Sequence, residues 1–273
     1  MNTRWATPAL VTLLFLAAGC SRPSPTATPL VTAPSGHWLS LFNGRDLTGW
    51  TPKIAGHPAG DNYRNTFRVE NGLLTVRYDQ YGHFDNAFGS LYYDKPFSRY
   101  WLRLEYRFVG SRLSSAPRWA YKNSGIQLHS QPPNTWRSDQ QFPVSVEFDL
   151  VGGWYLGSRP TGDVCQNGTQ VLIAGKPLIG QCSKLSHLTI RDGRWVIALA
   201  EVDGGRRIRQ IVDGVPIVEY TSVRLDASNP DARHWLAQGA SRDLTSGYIS
   251  LQSNGHPVEF RRIEVLPLPE IGR

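Results

Sequence analysis

The decapeptide YWLRLEYRFV, residues 100–109, decides the fold class of this chain. Its apolar and charged side chains alternate, so that Leu102 and Leu104 belong to one face and Arg103 and Glu105 to the other. A repeat of two residues is that of a β-strand with one buried face. This stretch therefore predicts a strand whose apolar side packs into a core.

Short alternating runs of the same kind continue along the chain, with turn residues between them. Asn71-Gly72 and Asp213-Gly214 each separate two such runs, and Asx-Gly pairs favour tight hairpins. Further strands are predicted at residues 125–130, 143–151, 185–191, 195–202, 208–212, 217–220, 247–252 and 258–266. No long helical period follows the N-terminal apolar run. Many short strands predict an all-β sandwich of two packed antiparallel sheets, because a single sheet would leave an apolar face bare.

The N-terminus resembles a bacterial lipoprotein signal. Arg4 precedes an apolar run over residues 9–18, which is too short to span a bilayer as a helix. The run ends in LAAGC, residues 16–20, and small residues directly before a Cys resemble a lipobox. We therefore predict a signal peptide at residues 1–19 and a lipid anchor on Cys20, which would place the protein in the cell envelope, on the periplasmic face or the outer membrane. The alternative is an ordinary secretory signal.

The rest of the chain divides by composition. Residues 20–36 are rich in Pro, Ser and Thr, as expected for the lipidated Cys and an extended tether. Residues 37–268 carry the strand pattern and form the predicted domain, and residues 269–273 form a short tail. The stretches 111–122 and 165–182 look like long loops, where functional residues often lie.

The remaining cysteines predict one disulfide. With Cys20 used for the anchor, Cys165 and Cys182 form an even pair in an oxidising compartment. A bridge between them would close a loop of about 17 residues and contribute ~3 kcal/mol. Two free thiols are the alternative. No His lies at a useful spacing from either Cys, so no metal site is predicted, and no Asp/Asn cluster demands a structural Ca²⁺.

The formal net charge of +7 and the pI near 9.5 raise the question of nucleic-acid binding. The basic residues are scattered, and the densest run, at residues 206–209, is typical of a solvated strand face. The sequence contains no helix-turn-helix pattern, zinc-finger spacing or aromatic RNA-binding signature. We therefore expect no nucleic-acid partner and only a lipid-mediated membrane contact.

One strand gathers acidic residues on a single face. In residues 144–150, burial of the apolar positions leaves Ser145, Glu147 and Asp149 on the opposite side. The same alternation places Gln127 and His129 on the outward face of the predicted strand 125–130, and Gln252 on the outward face of the predicted strand 247–252. If these strands share a sheet, Glu147, Asp149, His129 and Gln252 line one groove and form a candidate acid/base site.

Several motifs in order resemble the 3-keto-disaccharide hydrolase domain family. Residues 41–50, LFNGRDLTGW, are similar to its LFNGKDLSGW start, and residues 123–129, NSGIQLH, to its NSGIFLR strand. Residues 143–147, PVSVE, match its PxSIE strand, which is followed by a Gly-Asp step ending at Asp163. The terminal GYISLQS, residues 247–253, and EFRRI, residues 259–263, match its last two strands. The combination spans about residues 38–268.

This resemblance implies a concanavalin A-like jelly roll and cleavage of glycosides whose sugar carries a ketone at C3. The ketone acidifies the C2 hydrogen, a base removes it, the C1 substituent leaves and water then adds. We assign Glu147 or His129 as the base, the other as the acid, and Asp149 as a third catalytic candidate. The predicted substrate-binding residues are Asn123, Ser124, Gln127, Glu105, Asp163, Gln252 and Trp154. No cofactor is predicted, and an oxidoreductase would have to supply the 3-keto sugar.

Two departures and two alternatives accompany this interpretation. Some family members carry His where this chain has Asn254, and Arg where it has His129. A retaining β-glucanase would need E-x-D-x-x-E, but the last position is Gly152, which removes the second catalytic carboxylate. A non-catalytic carbohydrate-binding protein is the other alternative, since Trp50, Trp119, Trp136 and Trp154 lie in or beside predicted loops where they could stack on sugars.

Overall fold

The computed structural model of the protein describes residues 30–269. The predicted signal peptide, the predicted lipidation site Cys20, most of the predicted tether and the end of the tail lie outside the described residues. Across residues 30–269 there is no helix with the length and apolar character needed to cross a membrane.

The described chain is built almost entirely from β-strands, with one α-helix, α1 (Pro230–Ala237), and three short 3₁₀ turns. The strands in chain order are β1 (Leu39–Ser40), β2 (Trp50–Ile54), β3 (Phe67–Glu70), β4 (Leu73–Val76), β5 (Gly89–Tyr93), β6 (Arg99–Phe108), β7 (Asn123–Ser130), β8 (Ser145–Val151), β9 (Val164–Asn167), β10 (Thr169–Ile173), β11 (Lys176–Pro177), β12 (Val196–Asp203), β13 (Arg207–Val212), β14 (Val215–Leu225), β15 (Tyr248–Ser253) and β16 (Val258–Pro267).

These strands form two antiparallel sheets. The larger sheet has the order β11-β10-β14-β13-β12-β6-β16-β4-β3, with β1 added beside β16. The smaller sheet has the order β2-β5-β15-β7-β8-β9. Chain neighbours such as β15 and β16 lie in different sheets, as in a jelly roll. The predicted all-β, two-sheet jelly-roll sandwich of the concanavalin A type is confirmed.

Strand alternation creates the core between the sheets. On β6, Leu102 and Leu104 are completely buried against the smaller sheet. From the other side, Ile126 of β7 and Phe148 of β8 are equally buried in the same cluster. Removing this apolar surface from water drives the two sheets together. Because the inner faces are used in this way, the polar residues of β7 and β8 must occupy the outer face of the smaller sheet.

The two predicted Asx-Gly turns are confirmed. Asn71 and Gly72 have φ values of 52° and 77°, and Asp213 and Gly214 have φ values of 48° and 81°. Two successive residues with positive φ match the twist of a tight hairpin. These turns join β3 to β4 and β13 to β14.

The strand predicted at residues 185–191 is wrong, because this segment is an irregular loop. The backbone N–H groups of Leu185 and Ser186 donate to the Asp163 carboxylate at 2.8 and 3.2 Å, while the Ile190 carbonyl accepts from Gly153 at 2.6 Å. These hydrogen bonds satisfy backbone groups of the segment, so that it does not need to pair with a neighbouring strand. The chain also contains helix α1, strands β2 and β5, and strands β9 to β11 within the expected loop 165–182, none of which we predicted.

The predicted disulfide between Cys165 and Cys182 is confirmed. Cys165 lies on β9, opposite Glu147 of β8, and Cys182 lies in the loop that follows β11. The bridge therefore fixes a loop against the outer face of the smaller sheet.

Candidate functional site

A cavity of about 400 Å³ opens on the outer face of the smaller sheet. Its walls come from β7, β8, β9, the end of β15 and four connecting segments, and are formed by Trp119, Asn123, Phe142, Glu147, Asp149, Cys165, Asn167, Gln181, Cys182, Gln252 and Asn254. Carboxylates, amides and aromatic rings thus converge in one concave site, which is the usual composition of a small-ligand pocket.

Glu147 and Asp149 reach this cavity as strand alternation predicted. They occupy alternate positions on β8, about 6–7 Å apart along the strand. β8 lies between β7 and β9, and Glu147 is opposite Gln127 on one side and Cys165 on the other. Because β8 is flanked by a strand on each side, both carboxyl groups lie against neighbours that restrict their access to water.

Glu147 is a buried carboxyl group held by two amides. Its side chain is 6% exposed, and Oε2 accepts from Nδ2 of Asn167 at 2.6 Å and from Nε2 of Gln252 at 3.4 Å. Burial raises its pKa to about 7, and the hydrogen bonds from Asn167 and Gln252 oppose that rise. A carboxyl group with this pKa can accept and release a proton near neutral pH, as a general base must.

Asp149 is more strongly biased towards its protonated form. Burial raises its pKa well above the usual value, and the charge of Glu147 raises it further, while Arg159 acts in the opposite direction. Its Oδ1 accepts a long hydrogen bond of 3.5 Å from Asn123. The pair therefore combines one carboxyl group near neutrality with a second that retains its proton, an arrangement suited to separate base and acid roles.

The Asn123-Ser124-Gly125 motif organises this cavity. Asn254 donates to Asn123 and, at 2.5 Å, to Oε1 of Gln252, while the Ser124 hydroxyl donates to the Gln252 carbonyl at 2.8 Å. A Cβ on Gly125 would lie 2.5 Å from Oε1 of Glu147. In this motif Asn123 lines the cavity, Ser124 forms a hydrogen bond to β15, and Gly125 leaves the space that the Glu147 side chain occupies.

Trp119 offers an exposed aromatic surface at the edge of the cavity. The residue is 46% exposed, and its ring stacks on Phe88 with centroids 5.4 Å apart and an interplanar angle of 13°. Arg159 donates to the Trp119 carbonyl at 2.8 Å and so fixes the backbone of this loop. The exposed face of the Trp119 ring is therefore accessible for stacking on a sugar, whereas Trp50 and Trp136, which we also expected to be able to stack, are buried.

Trp154 does not line this cavity, in contrast to our expectation. Its ring stacks on Tyr121 with centroids 5.3 Å apart, and the Arg159 guanidinium lies 4.5 Å from its ring centroid. Trp154 thus packs against the loop that carries Trp119 and lies outside the cavity wall.

His129 is not brought together with Glu147. A bulge shifts the register of β7 against β15 between Gln127 and Ser130, and His129 itself has φ of 50°. The ring is completely buried, and Nε2 donates to the Gly204 carbonyl at 3.0 Å. Burial lowers its pKa to about 4, so that the ring is neutral. The extra residue breaks the alternation on which the predicted placement depended.

The other predicted binding residues have structural contacts instead. Gln127 is buried and accepts hydrogen bonds from Ser250 of the adjacent strand β15 at 2.6 Å and from Ser90 of β5, the next strand along, at 2.9 Å. Glu105 lies on the outer face of the larger sheet, where it pairs with Arg261 at 2.7 Å.

Asp163 also has a structural position, despite its place beside the site strand. Its carboxylate accepts from the Ser183 hydroxyl at 2.5 Å and from the backbone of Leu185 and Ser186. It therefore fixes the loop that follows the disulfide, and it does not line the cavity.

The residues that sequence reasoning missed come mainly from β9 and from loops. Asn167 donates the shortest hydrogen bond to Glu147, and Phe142 and Gln181 complete the wall. Asn167 follows Cys165 by two residues, so the predicted disulfide was the one signal near it. In residues 30–269, no group of three or more His, Cys, Asp or Glu side chains is arranged to hold a metal ion.

Comparison with family models identifies the domain. Residues 37–266 match the model described as the 3-keto-alpha-glucoside-1,2-lyase-like domain. The chain belongs to this family. The resemblance found in the sequence motifs is thereby confirmed, over almost the same residues.

Comparison with solved structures finds similar chains at low sequence identity. A proposed glycosyl hydrolase from Parabacteroides distasonis is 16% identical, with 85% of this chain and 94% of that chain covered and a TM-score of 0.53. A second such protein from the same organism is 16% identical over 85% of this chain and 100% of that chain, with a TM-score of 0.49. The carbohydrate-binding module CBM66 from Bacillus subtilis is 9% identical over 79% of this chain and 93% of that chain, with a TM-score of 0.44. No curated protein matches the sequence.

Proposed function

We propose that the protein cleaves 3-keto glycosides by elimination across C1 and C2 followed by hydration, with Glu147 as the base. The observation that carries this proposal is the buried Glu147 carboxyl group, whose pKa is raised to about 7 inside a polar cavity. The membership of the chain in the 3-keto-alpha-glucoside-1,2-lyase-like family supports the choice of substrate.

The first step is proton transfer from C2 of the sugar to Glu147. The electron pair of the broken C–H bond forms an enediolate with the C3 ketone, whose oxygen becomes negatively charged. Amide N–H groups of Asn123 and Gln252, each amide donating a single hydrogen bond within the described chain, are available to stabilise this oxygen and to hold the hydroxyls. Trp119 provides the surface on which the ring stacks.

The second step is loss of the group at C1. The enediolate electrons form the C1–C2 double bond, the C1–O bond breaks, and the departing oxygen needs a proton. We assign Asp149, and not His129, as the acid that supplies this proton. Asp149 lines the same cavity as Glu147, and its raised pKa favours the protonated form. Water then adds its oxygen to C1 and a proton to C2, which yields the free 3-keto sugar.

Two alternatives compete with this proposal. Non-catalytic carbohydrate binding would use Trp119 equally well but would not require ionisation of Glu147. A retaining β-glucanase would need a second carboxylate at Gly152, where the chain instead donates its backbone N–H to the Lys122 carbonyl at 2.8 Å.

The proposed reaction also requires an earlier enzyme that makes its substrate. An oxidoreductase must first oxidise the C3 hydroxyl, and we propose that such an enzyme acts before this protein. The predicted lipid anchor on Cys20 would hold the protein, and therefore the cleavage reaction, at the cell envelope.

Reaction in D₂O tests the mechanism directly. Elimination and hydration require that the product sugar carry deuterium at C2, which proton NMR detects as loss of the C2 signal. Glu147→Gln should abolish both product formation and C2 labelling. Product that retains its original C2 hydrogen would indicate direct displacement at C1 and would contradict the proposal.

A further inference from the structure

A second cavity, of about 550 Å³, adjoins the first near the start of α1. Phe142, Asn167 and Gln181 line both cavities, so that the two spaces share a wall. Each volume falls in the range of small-ligand sites. We infer that the second cavity is the subsite for the leaving-group sugar, a neutral ring that occupies it while the 3-keto ring lies beside Glu147. This inference rests on the proposed function.

The shared wall lies next to the reacting carboxylate. Asn167 lines both cavities, and its Nδ2 donates to Oε2 of Glu147 at 2.6 Å. A sugar whose C2 hydrogen contacts Glu147 has its glycosidic oxygen one carbon away, at C1. The bond that breaks is therefore close to Asn167, and the group beyond it can extend across the shared wall into the second cavity.

The lining of the second cavity suits a neutral, hydroxyl-rich ring. Arg137 pairs with Asp139 at 2.8 Å and with Asp231 at 3.5 Å, and all three side chains line the space. Sugar hydroxyls both donate and accept hydrogen bonds, so adjoining guanidinium and carboxylate groups can hold them. One positive and two negative groups leave a net negative charge, which disfavours an acidic sugar.

The second cavity is held in shape by its surroundings. Gln140 donates to the Phe142 carbonyl at 2.6 Å and to Gln131 at 2.8 Å, which fixes the loop that forms the shared wall. On the other side, the disulfide at Cys182 fixes the neighbouring Gln181. A preformed site avoids the entropic cost of ordering loops when the second sugar binds.

The test compares substrates that do and do not reach the second cavity. We expect Arg137→Ala to raise KM about tenfold for a 3-keto-glucosyl-glucose disaccharide, as expected for loss of charge-assisted hydrogen bonds, and to leave methyl 3-keto-glucoside unchanged. Arg233→Ala, which removes an exposed Arg of α1 that does not line the cavity, is the matched control and should alter neither substrate. An equal effect of Arg137→Ala on both substrates, or none on the disaccharide, would overturn the inference.

Calorimetry with the Glu147→Gln variant separates this inference from the proposed reaction. The disaccharide should bind this variant about tenfold more tightly than the methyl glycoside, and adding Arg137→Ala should remove the difference. If the wild-type protein turns over neither substrate, the proposed reaction fails, yet this binding difference would still establish the subsite. Equal affinity for the two ligands would refute the subsite whether or not the protein is an enzyme.

Discussion

The Glu147 side chain lies across Gly125, where an added Cβ would be 2.5 Å from Oε1 and 2.8 Å from Cγ and Cδ of Glu147. Gly125→Ala must therefore displace the carboxyl group from its position between Asn167 and Gln252. Since a shift of about 1 Å in a catalytic group can reduce the rate about 100-fold, we expect a loss of that order in kcat. Steady-state kinetics on a 3-keto glycoside, with circular dichroism to verify folding, measures it.

Gly82→Ala is the control for this substitution. Gly82 has ordinary backbone geometry, and a Cβ there would meet no atom within 4 Å. This variant should keep wild-type kcat. A folded Gly125→Ala protein with a kcat close to wild type would show that the position of Glu147 is not critical.

Asn167→Ala should change the pH dependence of the reaction. The hydrogen bond from Asn167 lowers the pKa of Glu147, so its loss should raise that pKa above about 7. The base is then protonated over more of the neutral range. We expect kcat/KM near neutral pH to fall about tenfold, and the acid limb of the pH profile to move to higher pH. A uniform loss at every pH, with the limb unmoved, would argue against this role.

Glu147→Gln should abolish turnover and stabilise the protein at alkaline pH. The pKa of Glu147 is raised from 4.5 to about 7 by burial, so the folded state binds its proton more tightly than the unfolded state. The stability associated with that proton is present below about pH 4.5 and is lost as pH rises to about 7. The melting temperature of the variant should therefore rise relative to wild type as pH increases from about 4.5 to about 7, and the difference should stay constant at higher pH. An unchanged difference between the variant and wild type from pH 4 to pH 9 would contradict this assignment.

The Cys165–Cys182 bridge should support both stability and the cavity wall. The double Cys→Ser variant should lose ~3 kcal/mol of stability by chain entropy, or roughly 6–12 °C in Tm for a domain of this size. KM should also rise, because both cysteines line the cavity. Reduced wild-type protein is the matched comparison, and it should melt together with the double variant. Equal Tm values for the oxidised and reduced proteins would exclude a stabilising bridge.

The site strand was predictable because β8 is regular. Buried Val146 and Phe148 alternate with Glu147 and Asp149, so the residue count alone assigns the acidic face. The same alternation predicted the wrong direction for His129 on β7, because one extra residue in this strand turns its side chain towards Gly204. Nothing in the apolar pattern of that strand marks a bulge, since the residues on both sides are buried anyway.

The rest of the site could not be predicted because it depends on which strands pair with one another. The residue pattern of a single strand does not show its partners. Asn167 reaches Glu147 because β9 lies beside β8 in a defined register, and Asn254 reaches Asn123 because it follows β15, which pairs with β7. The short strand β9 carries too few residues for alternation to be recognised. Its place in the sheet follows from tertiary packing around the disulfide.

The most direct test of ketone-assisted cleavage compares a chromogenic 3-keto-glucoside with the ordinary glucoside bearing the same leaving group. We expect the wild-type domain, residues 37–273, to release the chromophore from the keto substrate alone, and Glu147→Gln to release it from neither. Cleavage of both glucosides at similar rates, or an undiminished rate in Glu147→Gln, would contradict the assignment of Glu147 as the base that removes the C2 proton.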